Sequence, residues 1–84
     1  MNYELFSRVS LAIDLPEYGL KKGDIATVVD QHEGGSGQET GYSLEVFNAV
    51  GDTVAVVVVE ESKIFPVHPN EILHVRQFDN ISAT

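Results

Sequence analysis

Hydrophobic positions in this chain recur mainly at a spacing of two, and Gly, Pro, Asn and Asp interrupt them regularly. This pattern is typical of short antiparallel strands, and no window shows the period of an amphipathic helix. It predicts strands over residues 6–13, 25–32, 42–47 and 53–60, and a short closing strand over residues 64–67. We therefore expect an all-β domain.

Turn signals separate these strands. Pro16 and Gly19 end the first strand, since proline has no N–H for a ladder and glycine tolerates positive φ. Four of the seven glycines lie in residues 33–41, which predicts a hairpin tip. Residues 48–52 predict a tight turn, and residues 61–63 a single 3₁₀ turn.

This order of elements is that of a five-stranded SH3-like small barrel. A further extended piece is expected over residues 72–76, after the closing strand. We assign residues 1–76 to the barrel domain and residues 77–84 to a flexible C-terminal tail.

The fourth strand is the most informative, because its six residues 54–59 are all apolar and it shows no polar face before Glu60. By period two, Glu60 shares a side with Val54, Val56 and Val58. We expect that side to face outwards, and Ala55, Val57 and Val59 to face the core. Either the C-terminal segment covers the outer valines, or they form a contact face for a partner or a second copy.

Charge narrows the choice of partner. Five Lys and Arg oppose thirteen Asp and Glu, a net charge of −8 over 84 residues. An acidic surface argues against nucleic acid and against an anionic membrane, since both are bound largely through Lys and Arg. The chain has no cysteine, no basic and apolar leader at its start and no apolar run long enough to span a bilayer. We expect a cytoplasmic protein.

The sequence gives only weak signals for metal binding or catalysis. His32, His68 and His74 have no standard metal-ligand spacing, and adjacent strand residues such as Glu60 and Glu61 point to opposite faces. No serine stands in a nucleophile motif. We therefore predict no enzyme activity, no metal and no cofactor.

One aromatic residue stands in the first long loop, where SH3-like barrels commonly contact peptides. Tyr18 is expected either to contact a partner or to cap the mouth of the barrel.

Three segments, residues 11–20, 22–29 and 69–76, together resemble a family of small bacterial proteins, frequent in cyanobacteria, known as a domain of unknown function with an SH3-like barrel. The resemblance implies the fold and no settled activity. The resemblance also implies neighbouring genes for toxins or secreted effectors, and with them an antitoxin or immunity role. Residues 23–28 are also similar to strands of ribosomal and transcription-factor modules, which implies RNA or ribosome association.

The leading hypothesis is a non-enzymatic, acidic protein-interaction module that binds a basic protein partner through Val54, Val56, Val58, Glu60 and Tyr18. An antitoxin or immunity protein is the first alternative. RNA association is the second, and the net charge favours it least.

Overall fold

The computed structural model describes residues 3–78, which form one five-stranded antiparallel sheet. The strands are β1 (Arg8–Leu11), β2 (Ile25–His32), β3 (Gly41–Phe47), β4 (Thr53–Glu60) and β5 (Ile64–Pro66). Within that range, the only helical elements are two 3₁₀ turns, Pro16–Tyr18 and Glu61–Lys63. The all-β class is confirmed, and the sheet is consistent with a small barrel-like fold.

The strand bounds follow the alternation closely in β2 and β4, whereas β1 is shorter than predicted. Phe6 has a positive φ of 67°, and the Ser7 N–H closes a turn onto the Glu4 carbonyl at 3.2 Å. Because a residue with positive φ cannot continue an extended chain, β1 begins only after this turn. The strand expected over residues 64–67 ends at Pro66.

The strands lie in the order β4-β3-β2-β1-β5, so β4 and β5 form the two edges of the sheet. Each neighbouring pair is antiparallel. The glycine-rich segment over residues 33–40 connects β2 to β3, as a hairpin tip should. Residues 48–52 connect β3 to β4, and Asn48 Oδ1 accepts the N–H groups of Val50 and Asp52 at 3.1 and 2.9 Å.

The core lies on one face of the sheet and is built by alternate residues of the strands. β3 shows the pattern most clearly, with Tyr42, Leu44 and Val46 buried and the residues between them partly exposed. Leu20, from the β1–β2 connection, completes the core at one end. The remaining buried side chains are Val9, Leu11, Ala26, Val28, Val57, Val59 and Ile64.

Beyond β5, residues 67–78 join no strand. The piece expected over residues 72–76 therefore runs beside the sheet without extending it. We expected Phe78 to belong to the flexible tail, but it is partly buried and packs against the core. The rest of that predicted tail, residues 79–84, lies outside the described residues.

Candidate functional site

The two faces of β4 differ as the alternation predicts. Val57 and Val59 are 2% and 8% exposed and belong to the core. Val56 and Val58 point to the other face, where they are 58% and 65% exposed. Two apolar side chains two residues apart on one strand thus remain largely accessible to solvent.

Val54 does not join them, although it has the same parity in the sequence. The pairing register shifts between Val46, which lies opposite Ala55, and Phe47, which lies opposite Thr53. Val54 has no partner in β3, and this bulge interrupts the alternation. Val54 is partly buried and packs against the core, which corrects the expectation that it shares the outer face with Val56 and Val58.

Acidic side chains lie beside the two exposed valines. Glu45 is the β3 residue directly opposite Val56, so their side chains share the outer face. Its carboxylate accepts a hydrogen bond from the Thr53 hydroxyl, and this contact holds the Glu45 side chain against β4. Glu60 is exposed at the end of β4. We call the set Glu45, Val56, Val58 and Glu60 the β4 outer surface.

The outer face continues across the sheet with polar residues. Thr27 lies opposite Glu45, and Arg8 lies opposite Thr27. One row further along, Ser43 lies opposite Val58 and its Oγ is 2.7 Å from His32 Nε2. The exposed apolar area of β4 is therefore bordered on its β3 side by polar and acidic groups.

The structure places Tyr18 elsewhere. It lies in the 3₁₀ turn Pro16–Tyr18 of the β1–β2 connection and is 46% exposed. β4 is separated from β1 by both β2 and β3 in the sheet order. Leu20, which is buried, and Leu15, which packs against the core, cover this end of the core instead of Tyr18.

The described part of the C-terminal segment packs against the β1–β2 connection. Arg76 donates from Nε to Asp24 Oδ1 at 2.8 Å and from its terminal nitrogen to Asp24 Oδ2 and to the Gly19 carbonyl. Burial acts to raise the Asp24 pKa, but the hydrogen bonds from Arg76 and the Lys21 N–H, with the Arg76 charge, hold it below its usual value. This ion pair fixes the segment at the start of β2.

Between this segment and the sheet lies an open cleft of about 660 Å³. Ile25, Phe47 and Val54 line it from the sheet, and Ile72 and Phe78 from the segment. Neither Val56 nor Val58 contributes to its walls. Residues 67–78 therefore do not cover Val56 and Val58, so the expectation that the C-terminal segment covers the outer valines does not hold for this part of it.

Sequence reasoning missed a polar network at the other end of the core. Tyr42 is fully buried, its ring packs edge to face against Tyr3 with centroids 5.4 Å apart, and its hydroxyl donates to Glu61 Oε1 at 3.1 Å. The Tyr3 N–H in turn donates to the Tyr42 hydroxyl at 3.1 Å. Burial is the largest cause that raises the pKa of both tyrosines, and the Glu61 carboxylate adds to it; at Tyr42 the hydrogen bond from the Tyr3 N–H acts in the opposite direction. The alternation of β3 predicts an inward Tyr42, but no local pattern indicates its contact with Tyr3.

No helix in residues 3–78 has the length and apolar character needed to cross a bilayer. No three His, Asp or Glu side chains of this range come close enough together to bind a metal ion.

Fold and surface together define a small all-β domain with an exposed pair of valines, bordered by Glu45 and Glu60, on one edge strand. The chain belongs to the family described as a domain of unknown function, DUF4926, whose model matches residues 5–66. The match covers all five strands and ends where β5 ends, so it leaves out residues 69–76, one of the three segments that carried the resemblance. No curated protein and no solved structure matches the chain.

Proposed function

We propose that this protein is a non-enzymatic interaction module that binds a protein partner with a basic patch through the β4 outer surface. The observation that carries the proposal is the 58% and 65% exposure of Val56 and Val58 on a strand whose inner face is fully used by the core. Isolated exposed valines are ordinary, but these two adjoin each other on an edge strand.

The two kinds of group on this surface have different effects on binding. Complete burial of a valine contributes about 1.5 to 3 kcal/mol relative to full exposure, so covering the two half-exposed side chains supplies on the order of 2 kcal/mol. Glu45 and Glu60, with the net charge of −8, favour encounter with a positively charged partner and disfavour acidic ones. The apolar pair therefore contributes to affinity, and the carboxylates contribute to selectivity.

The same proposal includes an SH3-like barrel acting in a bacterial cytoplasm. The strand order and the 3₁₀ turn before β5 support the barrel, and the absence of cysteine suits a reducing compartment. Under this proposal an immunity protein is one special case, in which the basic partner is a toxin.

Affinity capture with matched variants tests the proposal. Val56→Thr combined with Val58→Thr keeps β-branched shape while replacing a methyl with a hydroxyl on each side chain. Val50→Thr is the control, since Val50 is 83% exposed but lies in the β3–β4 turn. We expect the unchanged protein and the control to capture the same basic protein, and to capture more of it at low salt. We expect the double variant not to capture it. Equal recovery by all three proteins contradicts the proposal.

A further inference from the structure

β4 is an open edge of the sheet. It spans eight residues and pairs with β3 on one side, and in the sheet formed by residues 3–78 no strand pairs with its other side. An edge strand presents backbone N–H and C=O groups that can form a ladder with another chain.

The register shows which backbone groups point outwards. The Glu61 N–H donates to the Thr40 carbonyl at 2.9 Å, continuing the β3–β4 ladder just past the end of the strand. Hydrogen-bonded and non-hydrogen-bonded pairs alternate along an antiparallel ladder. Val57 and Val59 therefore exchange hydrogen bonds with β3, whereas Val56 and Val58 direct their N–H and C=O groups away from it. The residues with exposed side chains are also those with outward backbone groups.

The opposite edge of the sheet is protected, which makes the contrast informative. β5 has three residues and ends in Pro66, which has no N–H to donate. β4 is longer, contains no proline and carries no charged side chain before Glu60. Protein edges are usually blunted by short length, proline, charge or a bulge. The bulge of β4 lies at Val54, and residues 55–59 after it carry neither proline nor charge.

We propose that β4 binds an extended segment of the partner as an added strand, with apolar side chains beside Val56 and Val58 and a Lys or Arg beside Glu60. This inference rests on the proposed function and specifies how that surface is used. Such strand addition obtains affinity from main-chain hydrogen bonds and specificity from alternate side chains.

Charge selects the occupant. A second copy would bring another net charge of −8 and another Glu45 and Glu60 to the same edge. A segment with basic residues meets those carboxylates with opposite charge, and like charges close together on paired strands are unfavourable. The occupant is therefore a basic, extended segment, and self-pairing is an outcome that the experiment separates.

Amide hydrogen exchange, measured by NMR, reports the added ladder directly. The probe is a capped peptide Lys-Thr-Val-Thr-Val-Thr-Lys, and the control peptide has Glu at both ends. At saturating probe, we expect exchange at the Val56 or Val58 N–H to slow by on the order of tenfold, the effect of about one net hydrogen bond. Val57 and Val59, already bonded to β3, should be protected with or without the probe.

The outcomes that overturn the inference are distinct. Unchanged exchange at Val56 and Val58 at millimolar probe excludes strand addition. Equal protection by the acidic control peptide excludes the basic occupant. Protection that rises with protein concentration when no peptide is present identifies a second copy as the occupant.

A backbone variant separates this inference from the proposed function. Val58→Pro removes an outward N–H without removing a bond to β3, and Val58→Ala is the control that shortens the side chain but keeps the N–H. We expect Val58→Pro to weaken probe binding on the order of tenfold more than Val58→Ala does. If the two variants weaken binding equally, strand addition is excluded, but the proposed side-chain surface is not. If neither variant weakens binding, and the double threonine variant does not either, the β4 outer surface itself is excluded as the binding site.

If thermal unfolding shows that Val58→Pro is not folded, methylated forms of the probe peptide provide the same comparison. N-methylation of alternate amides of the peptide blocks hydrogen bonding along one of its edges only. We expect one set of alternate methyl groups to abolish binding and the other set to spare it. Two equally active or equally inactive peptides contradict an added strand.

Discussion

Tyr42 donates its buried hydroxyl to Oε1 of Glu61 at 3.1 Å, which links the start of β3 to the turn that follows β4. The same hydroxyl accepts the N–H of Tyr3, so one oxygen joins three separate parts of the chain. A core side chain of β3 thereby also holds the N-terminal segment in place.

Tyr42→Phe should lower the free energy of unfolding by about 1 to 3 kcal/mol, because the Tyr3 N–H loses this acceptor while the ring volume is kept. Urea denaturation followed by circular dichroism measures the change. Tyr18→Phe is the matched control, since the Tyr18 side chain is 46% exposed, and its effect should lie within about 0.5 kcal/mol. Equal losses in the two variants contradict a structural role for the network.

High pH should destabilise the protein through the same network. The pKa values of Tyr3 and Tyr42 are raised above the ordinary value of 10.0, mainly by burial, with a further contribution from the Glu61 carboxylate that at Tyr42 is opposed by the Tyr3 N–H. A raised pKa means that the folded state holds its proton more tightly, so the stabilising contribution is complete below pH 10.0 and is lost as the pH rises through the folded value. Urea midpoints measured across this range should fall, and less steeply in Tyr42→Phe. An equal slope in the variant contradicts the assignment to Tyr42.

Most of the fold could be predicted from the sequence because period-two alternation and turn residues act locally. β2 and β4 have the predicted bounds since turn signals flank both. The position of Val54 could not be predicted, because a bulge leaves no mark in a run in which both faces of the strand are apolar. Tyr3 was missed for another reason, since its partner Tyr42 lies 39 residues away and no local pattern encodes that contact.

Arg76→Gln should release the C-terminal segment from the β1–β2 connection. Amide exchange over residues 72–78 should accelerate, while the free energy of unfolding falls by no more than about 1 kcal/mol, as for a partly exposed ion pair. The Asp24 pKa should rise, since hydrogen bonds and charge from Arg76 help to lower it. Lys22→Gln, which removes the same charge while keeping the backbone bond to Asp14, is the control.

Acid should act on the same pair with a defined sign. Because the folded pKa of Asp24 lies below its ordinary 3.8, its contribution to stability is present above pH 3.8 and is lost as the pH falls through the lowered value. NMR titration of the Asp24 carboxyl in the unchanged protein and in Arg76→Gln measures this shift. A pKa that does not move in the variant contradicts the ion pair.

Gly34→Ala should disturb the β2–β3 hairpin tip. An added Cβ would lie 2.3 Å from the Glu39 carbonyl oxygen, so the backbone of the tip must shift. We expect a loss of about 1 to 3 kcal/mol in the free energy of unfolding, as for other overpacked sites. Gly35→Ala is the control, because its nearest neighbour is the flexible Gln38 side chain at 3.7 Å. Thermal unfolding of both variants decides whether the tip needs glycine at this position.

The two faces of β4 should respond oppositely to one kind of substitution. Val57→Thr places a hydroxyl in the core and should cost about 1 to 3 kcal/mol, the penalty of a buried group without a partner. Val56→Thr exposes the hydroxyl to water and keeps a β-branched side chain, so its effect should lie within about 0.5 kcal/mol. The stability of the fold therefore does not explain why residue 56 is apolar, whereas binding of a partner does explain it. Equal costs in urea denaturation would mean that Val56 is buried, because a one-residue slip in register exchanges the two faces of a strand.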